Sequence, residues 1–177
     1  YEIVTGDWSS DVCSSDLVSS RDRVLPGEDV DAAGVLEDVF TRRGMNVRSR
    51  SRAVAARRVD NSVIVTLDDS STLQGSHVLM AVGSLPNTDD LGLESTGVST
   101  DSRGFITVDR VSRTSARHIY AAGDCTGVNM LASVAAMQGR IAMYHALGDA
   151  VAPLESTAIS STIFTEPEIA TVGLQQA

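Results

Sequence analysis

The sequence predicts an α/β fold, and three observations favour this class. Residues 29–43 have the apolar spacing of an amphipathic helix, and residues 131–147 form a second helix-like segment that is rich in small residues. The apolar segments 77–82 and 117–122 are each followed directly by a glycine, which is typical of buried strands that lead into a loop. With 177 residues, the chain is long enough for one ordinary domain or for pieces of two.

The first half of the chain is predicted to combine one helix with short strands. Acidic residues come early in the helix, and Gly44 follows its last turn. Four apolar residues are expected on its buried face: Val35, Leu36, Val39 and Phe40. A strand ends at Leu17 and Val18, and further strands are predicted near residues 45–58, 62–67 and 77–82. Residues 83–88 then form a crossover between domains.

In the second half, the pattern predicts strands on either side of the second helix. The segment 117–122 is apolar enough for a central parallel strand. The other predicted strands cover residues 104–108, 161–165 and 167–173.

Residues 7–20 are an anomaly, since they form a Ser-Ser-Asp repeat without helical or strand periodicity. The run DWSSDVCSSDL resembles a translated adapter junction of the kind found in assembled sequence data. We therefore interpret residues 1 to about 16 as not native to the protein; the alternative is a genuine polar arm. Cys13 lies in this segment and far from Cys125, so neither a disulfide framework nor a zinc site is predicted.

The charge balance argues against nucleic acid as a partner. The chain has 14 Lys+Arg and 23 Asp+Glu, a net charge of −9 and a pI near 4.6, whereas binding to phosphate backbones needs clustered cations. The arginines between residues 48 and 58 are interpreted as a solvated strand face, with a binding module for acidic partners as the alternative. No apolar stretch reaches the roughly 18–20 residues of a membrane span, and no secretory signal is visible. We expect a cytoplasmic protein that is not integral to a membrane.

Asp124 is the residue whose position points most directly to a ligand. It follows Gly123 at the carboxyl end of the predicted strand 117–122, where ligands of open α/β sheets bind. An ionised carboxylate accepts hydrogen bonds from hydroxyl groups, which suits a polyol such as a ribityl chain. The alternative is a helix cap, but the helix near residue 131 lies beyond the N2/N3 reach of a capping side chain.

Three motifs stand in the order of a known family. They are Ala81-Val82-Gly83-Ser84-Leu85-Pro86-Asn87, then Thr114 with His118-Ile119-Tyr120-Ala121-Ala122-Gly123-Asp124, then Phe164-Thr165-Glu166-Pro167-Glu168-Ile169-Ala170-Thr171-Val172-Gly173. Residues 18–177 resemble the FAD-dependent pyridine-nucleotide disulfide oxidoreductases. Within that family they look closest to the dihydrolipoamide-dehydrogenase-like flavoprotein NAD(P)H quinone reductases.

The resemblance implies partial FAD- and NAD(P)-binding Rossmann-like domains of three layers, followed by the start of an α+β interface domain. Residues 17–88 would be the C-terminal part of the NAD(P)-binding domain and residues 89–152 that of the FAD-binding domain. Residues 153–177 would begin a truncated dimerisation domain. The intact parent protein is then expected to be a homodimer.

For FAD, the resemblance implies that Asp124 binds the ribityl chain, with Gly123 beside it. Ala132, together with Leu131, would contribute backbone contact near the isoalloxazine ring. A helix N-terminus directed at the flavin stabilises negative charge on reduction. For Ala132 alone, a packing role is an equal alternative.

For NAD(P)H, the resemblance implies that a crossover segment lines the dinucleotide site, namely Ala81, Val82, Gly83 and Ser84. Gly83 could equally be only a turn residue. NAD-preferring relatives carry an acid for the ribose 2′-hydroxyl where this chain has Ser19. The missing acid and the nearby Arg21 favour a 2′-phosphate, and thus NADPH.

The function implied is transfer of hydride from NAD(P)H to FAD and then of electrons to a small-molecule acceptor, with a quinone preferred. Dihydrolipoamide dehydrogenase, mercuric reductase or a glutathione-type reductase is the alternative within the class. A non-catalytic fragment without bound flavin is the alternative of another class, because the resemblance implies that half of each nucleotide-binding sheet is absent, which would leave strand edges exposed. We assign no catalytic residue and no metal ligand.

Overall fold

The computed structural model describes the backbone of residues 2–6 and the whole of residues 15–173. The strands are β1 (Glu2–Gly6), β2 (Ser15–Ser19), β3 (Met45–Arg48), β4 (Ala53–Val59), β5 (Ser62–Leu67), β6 (Thr72–Gly75), β7 (His77–Ala81), β8 (Ser160–Ile163) and β9 (Ile169–Val172). The α-helices of the described residues are α1 (Val30–Arg42) and α2 (Ala132–Ala146). This mixture of small sheets and helices confirms the predicted α/β class.

The described residues divide into two compact units. Of the described residues, the first unit comprises those up to Gly83 together with Ile163–Ile169, and the second comprises Ser84–Thr162 together with residues 170–173. The assignment of residues 17–88, 89–152 and 153–177 to nucleotide-binding and dimerisation domains stays a prediction.

A four-stranded mixed sheet organises the first unit. Its order is β3-β2-β1-β7, with β2 and β3 parallel and the other pairs antiparallel. Strand β1 was not predicted, and it falls within the residues interpreted as a non-native junction. Cys13 and most of that junction lie outside the described residues, so the interpretation stays a prediction.

Helix α1 begins and ends close to where its sequence predicts. Asp29 caps it, because its Oδ1 accepts hydrogen bonds from the backbone N–H groups two and three residues later, at 2.9 and 3.3 Å. Gly44 follows the helix with φ +87°, a conformation in which a side chain would be strained. The buried face is narrower than predicted: Leu36 is 1% exposed, but Val35 is 52% exposed. Successive residues of a helix turn by about 100°, so neighbours cannot both point inward here.

A three-stranded antiparallel meander of β4, β5 and β6 packs on strand β2. The buried core contains Val18 of β2, Val65 and Leu67 of β5, and Leu73 of β6. Strand β6 was missed in the sequence because Leu73 is the one buried residue in its four. Pairing with β5, and not the sequence pattern of residues 72–75, stabilises β6 as a strand.

The strands predicted over residues 104–108 and 117–122 are wrong. Among the described residues, these segments make only isolated antiparallel bridges: Ile106 with Thr100, Val108 with Thr114, and Tyr120 with Arg113. Their backbone groups find partners in nearby turns, such as the 3.0 Å hydrogen bond from the Thr114 N–H to the Ile119 carbonyl. The segment before Asp124 is therefore a turn-rich loop and not a central parallel strand.

Helix α2 matches the prediction to within one residue at each end. The last two strands are shorter than predicted, since β8 ends at Ile163 and β9 begins at Ile169. Phe164 lies between them and is exposed. Within the described parts of the chain, no helix is long and apolar enough to cross a bilayer.

Candidate functional site

Asp124 begins a short 3-10 turn, Asp124–Thr126, directly after Gly123. Gly123 has φ +87° and ψ −159°, a backbone region that is essentially restricted to glycine. A Cβ at this position would also lie 3.4 Å from the Cβ of Ala135. The Asp124 side chain is exposed, and no hydrogen bond or ion pair engages its carboxylate within the part of the chain that the structure describes. Its oxygens are free to accept hydrogen bonds from a ligand.

The N-terminus of helix α2 belongs to the same unit. Leu131 is its N-cap residue, and no described side chain caps it, so the alternative in which Asp124 caps this helix is wrong. The first N–H groups of a helix have no intrahelical partner. In α2 the first two residues, Ala132 and Ser133, have small, exposed side chains. Small side chains let a planar ligand approach the backbone.

A buried hydrogen-bond network joins α2 to the Asp124 turn. Gln138, 1% exposed, accepts a hydrogen bond at its Oε1 from the Gly123 N–H at 2.8 Å. Its Nε2 donates to the Thr126 hydroxyl at 3.3 Å, and that hydroxyl donates to the Gly123 carbonyl at 2.8 Å. The network therefore fixes both backbone groups of the residue that precedes Asp124.

Sequence reasoning missed Gln138 and Thr126. The signal was nevertheless present, because Gln138 follows Val134 by four residues and precedes Ile141 by three, and both of these are buried. A glutamine on the apolar face of a helix needs hydrogen-bond partners, so its position predicts a loop packed against it.

The turn also ends in a restrained position. Gly127 has φ +64°, and a Cβ there would come within 2.8 Å of the Phe105 ring. Phe105 is buried, and its ring packs against the turn at Gly127. The Asp124 turn thus has at each end a position with positive φ where a Cβ would come within 3.4 Å of a neighbouring side chain.

The predicted crossover residues lie where β7 ends. Ala81 is the last residue of β7, and Gly83 has φ +116°. All four predicted residues, Ala81, Val82, Gly83 and Ser84, are exposed. The structure brings them together by chain continuity, and their role toward a dinucleotide stays a prediction.

Ser19 ends β2 and is buried. Its Oγ accepts a hydrogen bond from the Arg21 N–H at 3.2 Å, so this hydroxyl shapes the turn after the strand. The Arg50 N–H donates to the Arg21 carbonyl at 2.6 Å, which brings the loops after the parallel strands β2 and β3 side by side. Both arginines are exposed, and neither guanidinium has a partner among the described residues. Ser49 directly precedes Arg50 in the sequence. Its Oγ is buried and has no hydrogen-bond partner among the described residues.

Other reactive side chains do not assemble into a catalytic group. The Cys125 Sγ donates to the Ala122 carbonyl at 3.4 Å, and Tyr120 Oη lies 2.7 Å from His145 Nδ1. The latter contact ties the loop before Asp124 to the last turn of α2. Across the described ranges, no group of three His, Cys, Asp or Glu residues could hold a metal ion.

A groove of about 640 Å³ lies elsewhere in the second unit, between α2 and residues 150–160. Its lining includes Met137, Ile141, Tyr144, Leu154 and Ile159, and neither Gly123 nor Asp124 belongs to it. The groove thus does not include the Asp124 turn, although Ser133 and Val134 in the first turn of α2 also line it. The sequence did not predict it.

The chain matches known proteins over most of its length. The family model described as pyridine nucleotide-disulphide oxidoreductase matches residues 6–139. This chain therefore belongs to the pyridine nucleotide-disulphide oxidoreductase family, which confirms the resemblance seen in the sequence.

Two relatives show how far the similarity extends. An NAD(P)H dehydrogenase (quinone) of Mycobacterium tuberculosis is 55% identical over 161 residues, which are 91% of this chain and 33% of the relative. A dihydrolipoyl dehydrogenase of Haloferax volcanii is 36% identical over 166 residues, 91% of this chain and 35% of the relative. The chain thus spans about a third of the length of the curated relatives it matches.

Among solved structures, LpdA from Mycobacterium tuberculosis superimposes with a TM-score of 0.86 at 55% identity. The match covers 90% of this chain and 35% of LpdA. The fold of this chain is therefore similar to that of the corresponding third of LpdA.

Proposed function

We propose that this chain forms part of a flavoprotein that passes hydride from NAD(P)H to FAD and then electrons to a quinone. Family membership supports the oxidoreductase class, and the 55% identical relative is named an NAD(P)H dehydrogenase (quinone). Dihydrolipoyl dehydrogenases and a mercuric reductase are also relatives, at 36% identity. A disulfide or metal-ion acceptor is therefore the second candidate.

The unpartnered carboxylate of Asp124, exposed on a glycine-restricted turn beside the uncapped start of α2, is the observation that supports FAD most strongly. These residues fit the group. The carboxylate would accept hydrogen bonds from ribityl hydroxyls next to Gly123. The backbone at Leu131 and Ala132 would face the flavin: the Leu131 N–H donates to the Asn129 carbonyl at 2.9 Å, and the Ala132 N–H has no partner among the described residues. When bound, FAD supplies the redox chemistry, and the helix dipole at Ala132 would favour negative charge nearby.

For the nucleotide, we propose NADPH in preference to NADH. No acid stands where β2 ends, and Arg21 is exposed there beside Arg50. Two unpaired guanidiniums suit a phosphate, with which arginine forms bidentate hydrogen bonds. Ala81, Val82, Gly83 and Ser84 would line the same dinucleotide with their backbone, and Ser19 would shape the turn that carries Arg21.

We further propose that the intact parent is a homodimer, with the dimerisation domain beginning near residue 153. This follows the family resemblance of the segment from Phe164 to Gly173. The isolated chain, with a third of the relatives' length, is proposed to lack activity of its own.

The test uses the parent protein, restored from the same genomic locus. We expect an absorption band at about 450 nm, typical of oxidised flavin, that bleaches when NADPH is added without oxygen. Asp124→Asn should weaken FAD binding by on the order of tenfold to a hundredfold, because each hydrogen bond to a charged group contributes about 1.5–3 kcal/mol.

The matched control is Asp90→Asn, at an exposed aspartate of the same unit, which should leave FAD binding unchanged. A folded but colourless parent would overturn the FAD assignment. A quinone accepted no faster than a disulfide or Hg²⁺ would instead favour the second candidate.

A further inference from the structure

We propose that Gln138 is a positioning residue for the flavin: it holds the Asp124 turn and the N-terminus of α2 in one fixed arrangement and thereby sets FAD affinity and the flavin potential. This inference rests on the proposed function. It adds a residue that touches neither the flavin nor a substrate and acts through Gly123.

Position 138 of helix α2 holds a buried amide side chain. A buried polar side chain is costly unless its hydrogen bonds are satisfied, and a methionine would fill similar space without that cost. Gln138 has both kinds of bond, an accepted one from the Gly123 N–H at 2.8 Å and a donated one to Thr126 Oγ1 at 3.3 Å. The amide is therefore matched to the turn and not merely to the space in the core.

The Gln138 amide holds the backbone of Gly123. Glycine is conformationally permissive, so Gly123 does not maintain φ +87° and ψ −159° by itself. Gln138 fixes its N–H, and Thr126 fixes its carbonyl through the 2.8 Å bond from the hydroxyl. With both peptide groups held, the backbone that carries the exposed carboxylate of the next residue, Asp124, has a defined position.

Gln138 also links the Asp124 turn to helix α2. Gln138 belongs to α2, whose first residue is Ala132. The two proposed flavin contacts, Asp124 and the N–H groups near Ala132, therefore sit on one bonded unit. Small displacements of groups that bind a ligand reduce the benefit of preorganisation. A loosened turn should therefore bind FAD more weakly. It should also leave the N-terminus of α2 less closely placed against the flavin.

The experiment compares parent holoenzymes that carry Gln138→Met, Gln138→Glu or the matched control Ile141→Val. Ile141 is buried on the same helix and has no hydrogen bond to the turn. FAD dissociation constants are measured by fluorescence, flavin midpoint potentials by dye-coupled titration, and apoprotein stability by thermal unfolding.

We expect Gln138→Met to weaken FAD binding by on the order of tenfold, as two bonds of the network are lost, and to shift the potential of the flavin that remains bound. Gln138→Glu retains an acceptor for the Gly123 N–H and should recover most of the affinity. Ile141→Val should lower thermal stability while leaving the dissociation constant and the potential unchanged.

Unchanged affinity and potential in Gln138→Met would overturn this inference alone. The same holds if Ile141→Val shifts them equally, because the role of Gln138 would then be one of general stability. A parent without flavin would overturn the proposed function and this inference together. If Gln138→Met does not fold, Thr126→Val tests the same network, and wild-type affinity in that variant would overturn the inference.

Discussion

At the scale of single residues, the carboxylate of Asp124 differs from those of two other aspartates in the second unit. Asp101 and Asp109 each accept hydrogen bonds at Oδ1 from backbone N–H groups two and four residues later, at 2.8–3.0 Å. Such bonds shape turns and leave the carboxylate engaged. Asp124 makes no bond of this kind within the described residues. The contrast distinguishes a carboxylate available to a ligand from carboxylates that hold the fold.

Glu155 provides a residue-scale prediction about pH. The hydrogen bond from the Thr157 hydroxyl, at 2.8 Å, lowers the pKa of Glu155, with smaller contributions from the Thr157 N–H and the Arg110 charge. Thr157→Val removes the hydroxyl at similar volume, so we expect the pKa of Glu155 to rise toward its usual range. Carboxyl NMR with labelled glutamate measures this, and Thr107→Val is the control because Thr107 is exposed and remote in sequence.

The sign of the effect on stability follows from the same shift. A carboxyl whose pKa is lowered by folding stabilises the protein above its unfolded pKa, and the contribution disappears as the pH falls through the folded pKa. In Thr157→Val, the part of the free energy of unfolding that is lost as Glu155 is protonated in acid should therefore be smaller. A pKa of Glu155 that is the same in both proteins would show that the hydroxyl bond is absent in solution.

At the scale of elements, the helices are set by local signals, and the cap of α1 tests this directly. Asp29→Ala removes the acceptor of two N–H groups and should lower the free energy of unfolding by about 1 kcal/mol. Urea denaturation of the parent protein measures the change. Asp38→Ala, at an exposed position of the same helix, should have less than half that effect, and equal losses would contradict the capping role.

The same reasoning explains which elements the sequence could predict. Helices α1 and α2 were predicted to within one residue because their signals act within a few residues. For α1 these are the Asp29 cap and the apolar periodicity, for α2 the run of small residues, and for both a glycine just beyond the end. The central strand predicted at 117–122 was wrong, and β6 was missed, because a strand depends on its partners as well as its own residues. Ile119 found a partner in Thr114, five residues away, whereas β6 pairs with β5.

The candidate site was predictable to a similar extent. Asp124 could be identified from its place after Gly123 and from the family motif, and the structure leaves its carboxylate unpartnered among the described residues. Gln138 could not be linked to it from sequence alone, because their contact depends on how the turn folds back against α2. Arg50 was likewise separated from Arg21 by a whole helix until the pairing of β2 with β3 joined their loops.

At the scale of the whole molecule, this chain carries a net charge of −9, yet it is proposed to bind NADPH, which is itself an anion. A local cationic site must then overcome the general repulsion. Arg21 and Arg50 provide one, since their loops are joined by a 2.6 Å backbone hydrogen bond and their guanidiniums have no described partner. Because the 2′-phosphate is what distinguishes the two nucleotides, these arginines should affect NADPH and not NADH.

The last prediction follows from this selectivity. In the parent holoenzyme, Arg21→Ala and Arg50→Ala should each lower kcat/KM for NADPH by on the order of tenfold, because a charge-assisted hydrogen bond is lost. The value for NADH should change by less than about twofold, since NADH lacks the 2′-phosphate that the guanidiniums are proposed to bind. Arg57→Ala, at an exposed arginine of β4, controls for net charge and should affect both nucleotides alike. Equal losses with NADPH and NADH in the Arg21 and Arg50 variants would show that these side chains act on the general field or on the fold, and the 2′-phosphate site would then have to lie elsewhere.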